Sequence, residues 1–249
     1  MLCLLFLTAA QPGIPQLTSG VALPVKFPYA ENLVYRVGWR MVTAGQADLK
    51  LTPAPNDGWQ LNMDLTSSGL VNQLYRVLDN YKLLTNDKFC SSSVDLDAQE
   101  GKHHVITAIA FDNEKHKLVA TMKDIVANKN DRIELAIPPC TYDIVGALMT
   151  LRASQLQPGM KFTLPVTNGK KLANVRTEGL SKEKLNLAGK TYNTIRYETF
   201  VFDNVLYRRK GRLLIWVTDD PLRVPVQLRF VFGFPLGDIT LELEKVERL

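Results

Sequence analysis

The stretch Leu33-Val34-Tyr35-Arg36-Val37-Gly38-Trp39-Arg40-Met41, continued by Ala47-Asp48-Leu49-Lys50-Leu51, decides the fold. Leu33, Tyr35, Val37, Trp39 and Met41 are apolar at alternate positions, and Arg36 and Arg40 fall between them. Successive side chains of a strand point to opposite faces, so this period marks a strand with one buried and one solvated side. Ala44-Gly45 reads as a turn, after which Ala47, Leu49 and Leu51 form a returning strand. Asn56-Asp57-Gly58 is a second turn, and Trp59, Leu61, Met63 and Leu65 resume the alternation. The opening is a β-meander.

Outward from this segment the period recurs at Val105, Thr107, Ile109 and Phe111, closed by Asp112-Asn113. Further strands are predicted at 115–122, 160–167, 172–180 and 193–203. Leu213, Ile215 and Val217 alternate, then Val224, Val226, Leu228, Phe230 and Phe232, and finally Ile239, Leu241 and Leu243. One-sided burial belongs to antiparallel sheets, and no strand–helix–strand rhythm appears. Two stretches leave period two. Leu70, Leu74, Val77 and Leu78 have helical spacing after Gly69. Thr141 is placed to cap a helix through Arg152, with Ile144, Leu148 and Leu151 on one face. The expected fold class is all-β and mainly antiparallel: a large curved sheet, as an open barrel or a sandwich, with two short helices.

Composition narrows the function classes. The 249 residues carry 30 Lys and Arg against 25 Asp and Glu, a net charge of +5, with 46% hydrophobic residues. That content suits a sizeable core. The densest basic run, Arg208-Arg209-Lys210-Gly211-Arg212, has no interleaved aromatics and reads as a solvated hairpin turn, so nucleic acid is not an expected partner. No uncharged apolar run reaches the length of about 20 residues that a membrane span requires.

Leu2 to Ala10 form an apolar stretch ending in small residues, the shape of a signal-peptide core, although no basic residue precedes it. Residues 1–26 are therefore expected to be leader and flexible segment, and 27–249 one β-rich domain. Loss of the leader removes Cys3 and leaves Cys90 and Cys140. Two cysteines in an exported chain usually pair in an oxidising compartment, so a Cys90–Cys140 disulfide is expected. Neither has a partner at zinc-ligand spacing, and no metal or cofactor is expected.

The order of several short motifs resembles the domain of unknown function 3108 family of uncharacterised exported bacterial proteins. The resemblance is carried by Tyr35-Arg36-Val37-Gly38-Trp39 with Ala44-Gly45-Gln46-Ala47, by Glu100-Gly101-Lys102, and by Asp143-Ile144. It continues through Leu151-Arg152, Leu156-Gln157-Pro158-Gly159, Trp216-Val217-Thr218-Asp219-Asp220, Arg223-Val224-Pro225-Val226 and Gly237-Asp238-Ile239. It implies a β-rich protein of the Gram-negative envelope, periplasmic or outer-membrane-associated, and brings no catalytic residues with it.

Motifs that carry chemistry elsewhere have plainer readings here. His103 and His104 are adjacent on a strand, so they point to opposite faces and do not share a metal. Asp219-Asp220-Pro221 reads as a turn, because paired catalytic acids must face each other across a cleft. Ser91-Ser92-Ser93 lacks the nucleophile-elbow glycines. Glu100, Asp143 and Arg152 read as a turn acid and helix-end charges. The aromatic stripe of Phe230, Phe232 and Phe234, with Trp216, either belongs to the core or lines a ligand site. Two short helices cannot cover the apolar face of about a dozen strands, and this shortage is the argument for a cavity. Two functions stay open. One is a non-enzymatic envelope protein that binds or carries an apolar ligand such as lipid. The other is a scaffold or interaction module that binds protein or polysaccharide.

Overall fold

The computed structural model describes residues 30–55 and 57–249; the expected leader and Cys3 lie outside them. Fourteen strands form one antiparallel sheet that does not close on itself. The first eight are β1 (Glu31–Trp39), β2 (Val42–Pro53), β3 (Trp59–Ser67), β4 (Val77–Thr85), β5 (Ser91–Glu100), β6 (His103–Asp112), β7 (Lys117–Asp124) and β8 (Lys129–Ala136). The other six are β9 (Lys161–Thr167), β10 (Leu172–Leu187), β11 (Lys190–Thr199), β12 (Arg212–Thr218), β13 (Pro225–Val231) and β14 (Ile239–Arg248). Each of the two groups is a meander, and the pairing of β1 with β14 joins them in mid-sheet.

The register explains why period two was legible. Leu51, Leu61, Leu83, Val94, Ile109, Ala120 and Ile133 are cross-strand partners in succession from β2 to β8. A second row runs Tyr197, Ile215, Leu228, Leu241 and Val37 from β11 to β1. A shift of one residue in any pairing would turn these rows out to solvent.

Local structure departs from the sequence reading at the first turn and at both helices, among other places. The first turn lies at Arg40–Met41 rather than at Ala44-Gly45, with Arg40 in the left-handed region (φ 55°). Gly45 is instead a strand residue, pressed so close to the Thr66 carbonyl oxygen that a Cβ would sit 2.0 Å from it. The first helix, α1 (Gly69–Leu74), is six residues long and buries none of them, and Val77 and Leu78 already belong to β4. The second helix, α2 (Ile144–Ala153), is capped by Asp143 rather than Thr141.

The concave side is covered by α2 together with two further pieces of chain. The 200–211 segment between β11 and β12 buries Val201, Phe202 and Leu206. The β9–β10 hairpin reaches across to β6 and β7, where Gly169 lies against Ile109 and Ala120; a Cβ there would sit 2.8 Å from the Ile109 side chain. Thr141 and Tyr142 stitch the two ends of the sheet together. Ser91 N donates to Thr141 O (3.0 Å), Tyr142 N to Pro165 O (2.9 Å) and Thr167 N to Tyr142 O (2.9 Å).

Cys90 and Cys140, 50 positions apart in sequence, form the expected disulfide, with 4.7 Å between their Cα atoms. It ties the start of β5 to the entry of α2. Closing a loop of this size stabilises the fold by about 4 kcal/mol in the chain-entropy treatment. Denaturant titration of the Cys90→Ala/Cys140→Ala double variant should therefore lose stability of that order, and the unreduced parent should yield no free thiol from either position.

Candidate functional site

The interior of the curve is where a ligand was expected, and its polar groups converge on the two ends of α2. At the first end Asp143 accepts from Val145 N (3.1 Å) and Gly146 N (2.8 Å), the donors left unpaired by the opening helical turn. Its carboxylate also accepts from the Tyr81 hydroxyl and from Ser91 Oγ (3.4 Å), while its own N–H donates to Ser91 Oγ (2.8 Å). Burial pushes the Asp143 carboxyl above the usual range, and these donors pull it back in part. Burial, followed by the neighbouring Asp143, raises Tyr81 well above an ordinary phenol. A serine, a carboxylate and a tyrosine thus meet as a helix cap that also anchors β4 and β5.

At the other end Arg152 is paired with Glu31 of β1 through both terminal guanidinium nitrogens, Nη1 and Nη2, and both residues are almost inaccessible, at 2% and 0%. Arg152 Nε donates to Arg223 O (2.9 Å), and Nη2 to Leu222 O (3.2 Å). Arg223 answers by donating to Arg152 O (2.9 Å) and to the Tyr197 hydroxyl (2.6 Å), which itself donates to Leu156 O (2.8 Å). Glu31 belongs to the apolar rows, opposite Leu51. Only its pairing with Arg152 makes a carboxylate tolerable there. These groups hold α2 against both meanders, and each is engaged by another group of the protein.

The four aromatic candidates do not come together. Phe230 pairs with Leu213 and Ile239 on the inner face, stacks with Phe232 (6.4 Å), and Phe232 meets Phe202 edge-on (5.0 Å). Trp216 lies on the opposite face, between Arg196 and Gln227, with its indole N–H donated to Glu183. β13 ends at Val231, so Phe232 and Phe234 are in the following loop, and Phe234 is 96% exposed. Asp220 is a turn residue whose Oδ1 accepts from Thr218 Oγ1, Leu222 N and Arg223 N. His104 pairs with Asp97 (2.8 Å), and His103 is exposed. Among the described residues no group of three His, Cys, Asp or Glu could hold a metal ion. Nor is any helix among them long and apolar enough to cross a membrane.

Sequence reasoning missed a further acid, Asp79 of β4. Its side chain is 8% exposed and accepts from Gln99 N (3.0 Å). Burial, then the neighbouring Glu100, pushes its carboxyl up to about 6, against the pull of the Gln99 hydrogen bond. It follows Leu78 in a segment read as helical, and its inward direction is visible only once β4 is recognised as a strand.

The comparisons with known proteins agree with this architecture. No curated protein matches the chain. A crystal structure of a beta-barrel-like protein of domain of unknown function DUF1849 from Brucella abortus is similar over 90% of this chain and 99% of that one. Its TM-score is 0.60 at 8% identity, which is a likeness of fold. The family model described as protein of unknown function (DUF3108) matches residues 34–244.

Two outcomes follow from the buried charges. Arg152→Ala leaves the Glu31 carboxylate without its cation and should cost about 3–5 kcal/mol in a denaturant titration, whereas Glu31→Gln with Arg152→Met should recover much of it. For Asp79 the folded carboxyl binds its proton more tightly than the unfolded one. The native state therefore loses stability as pH rises from about 4 to about 6, and the penalty is constant above that. Asp79→Asn should raise the melting temperature at pH 7, and the gain should vanish below about pH 4.

Proposed function

The chain belongs to the DUF3108 family, and we propose that it is a non-enzymatic exported envelope protein that binds its partner on its surface rather than carrying an apolar ligand inside the sheet. The observation that carries this reading is the occupation of the concave side by the protein's own groups. Phe202 and Leu206 of the 200–211 segment, Met149 and Leu151 of α2, and the β9–β10 hairpin take the place a carried ligand would need. These pieces answer the shortage of helical cover that had argued for a cavity.

Export is supported by the apolar leader-like stretch at residues 2–10 and by the Cys90–Cys140 disulfide, a bond that persists in oxidising compartments. The absence of a catalytic role is supported by the polar interior, where Asp143 caps a helix and Glu31 neutralises Arg152. Phe234, one of the four aromatic ligand candidates, remains available on the surface.

Native mass spectrometry on the freshly purified full chain tests the reading. The expected mass is that of the polypeptide alone. One lipid retained per chain would overturn it in favour of an internal carrier.

A further inference from the structure

Adjacent connections at one end of the sheet expose large apolar side chains. The β1–β2 turn presents Met41 (100% exposed) beside Val42, and the β13–β14 loop presents Phe234 (96%). The link from β3 to β4 presents Leu70 and Leu74 of α1 (73% and 82%). These connections are tied to one another and to the sheet. Arg40 N donates to Asp238 O (2.9 Å), Trp39 Nε1 to Leu236 O (2.6 Å), and Ser68 N to Ala44 O (2.8 Å). Large apolar groups gathered in exposed connections are unusual on a soluble surface and mark a contact site. α1 adds to the case, since only Val71 of this six-residue helix packs against the core and its two exposed leucines gain little packing energy in water.

The charges around these tips are mainly positive. Arg40 lies at the β1–β2 turn, Arg76 follows α1, and Lys102 occupies the neighbouring β5–β6 turn, whose Gly101 N donates to Arg76 O (2.7 Å). On the other flank Arg208, Arg209 and Lys210 are exposed before β12, with Arg209 5.7 Å from the Phe232 ring. The acids of these connections are Glu100 and Asp203, both exposed, and Asp238, which is engaged by Arg229 (Nε–Oδ2 2.9 Å).

We propose that this end of the sheet docks on an anionic phospholipid bilayer, with Met41, Leu70, Leu74 and Phe234 entering the interface and the flanking arginines and lysines meeting the headgroups. Separate apolar tips beside cations suit a fluid interface, which closes around each tip without needing a matching surface. A second copy would bring one basic rim against another. The segment before β1 joins the sheet at Glu31, at the far end of that strand from Met41. The inference rests on the reading that the protein works from its surface.

Co-sedimentation of the full chain with vesicles tests it, comparing 30% phosphatidylglycerol in phosphatidylcholine with pure phosphatidylcholine. The chain should partition to the anionic vesicles and be released by high salt. Arg208→Gln/Arg209→Gln/Lys210→Gln should weaken partitioning by roughly fivefold for each charge removed. Met41→Ser/Leu74→Ser/Phe234→Ser should weaken it by about tenfold or more. All three apolar sites are exposed, so thermal melts should match the parent, and Leu74→Asp alone serves as a second variant. Failure to sediment with anionic vesicles at low salt would overturn the proposal. Unchanged binding by the apolar-tip variants would also overturn it, by placing the contact elsewhere on the chain. A dimer in sedimentation velocity that these variants abolish would overturn it in favour of a second copy. An internally held lipid, seen by mass spectrometry, would end the surface reading without altering the vesicle result.

Discussion

The ion pair between Arg152 and Glu31 is the constraint on which the rest of the structure depends. Taking two charges out of water costs several kcal/mol each, and hydrophobic residues of similar size would do as well for stability alone. The pair supplies position instead. Glu31 starts the strand at which the two meanders join, and Arg152 stands in the last turn of the helix lying beneath them. The additional carbonyl partners at Leu222 and Arg223 fix the guanidinium in one orientation, so α2 can neither slide nor rotate without stranding a charge. Asp143 performs the matching task at the other end, where Tyr81 and Ser91 bind the carboxylate that caps the helix.

A fourteen-stranded twisted sheet has to curl or split, and this one curls without closing. Its two edges are protected differently. β8 carries Lys129, Asp131, Arg132 and Glu134, a charged edge that discourages pairing with another chain. β9 is covered by Tyr142, which pairs with it in parallel through Val166 and so uses hydrogen-bonding groups that would otherwise be open. The disulfide lies immediately before this stitch, so the covalent and hydrogen-bonded closures act on the same few residues.

Much of this was legible in the sequence, for reasons that differ between strands. β1, β2, β3, β6 and β12 to β14 alternate because each presents one face to the core and one to water. β4, β5 and β8 were not recognised. Inward positions of β4 include Asp79 and Thr85, β5 turns Ser91 inward beside Val94, and β8 shows only Ile133 and Leu135 against a charged background. Their burial comes from neighbours rather than from their own hydrophobicity, and a single chain does not display that. The covering 200–211 segment was hidden for the converse reason: the strand expected over 193–203 stops at Thr199, the buried residues beyond it follow no period, and the basic run at its end looked like an ordinary turn. Glu100, Asp143 and Arg152 were noticed as charges, but the link from Arg152 to Glu31 spans 121 residues and needed the fold to reveal it.

The central seam of the sheet joins the first strand of the described residues to the last. A chain delivered from its N-terminus presents β1 with one side unpaired until Ile239–Arg248 arrives, and Glu31 waits over a hundred residues for Arg152. The two meanders can assemble as they emerge, but the order of synthesis postpones their union to the final strand. Contacts so distant in sequence make for slow folding. The topology itself thus keeps the chain from locking until β14 has been made.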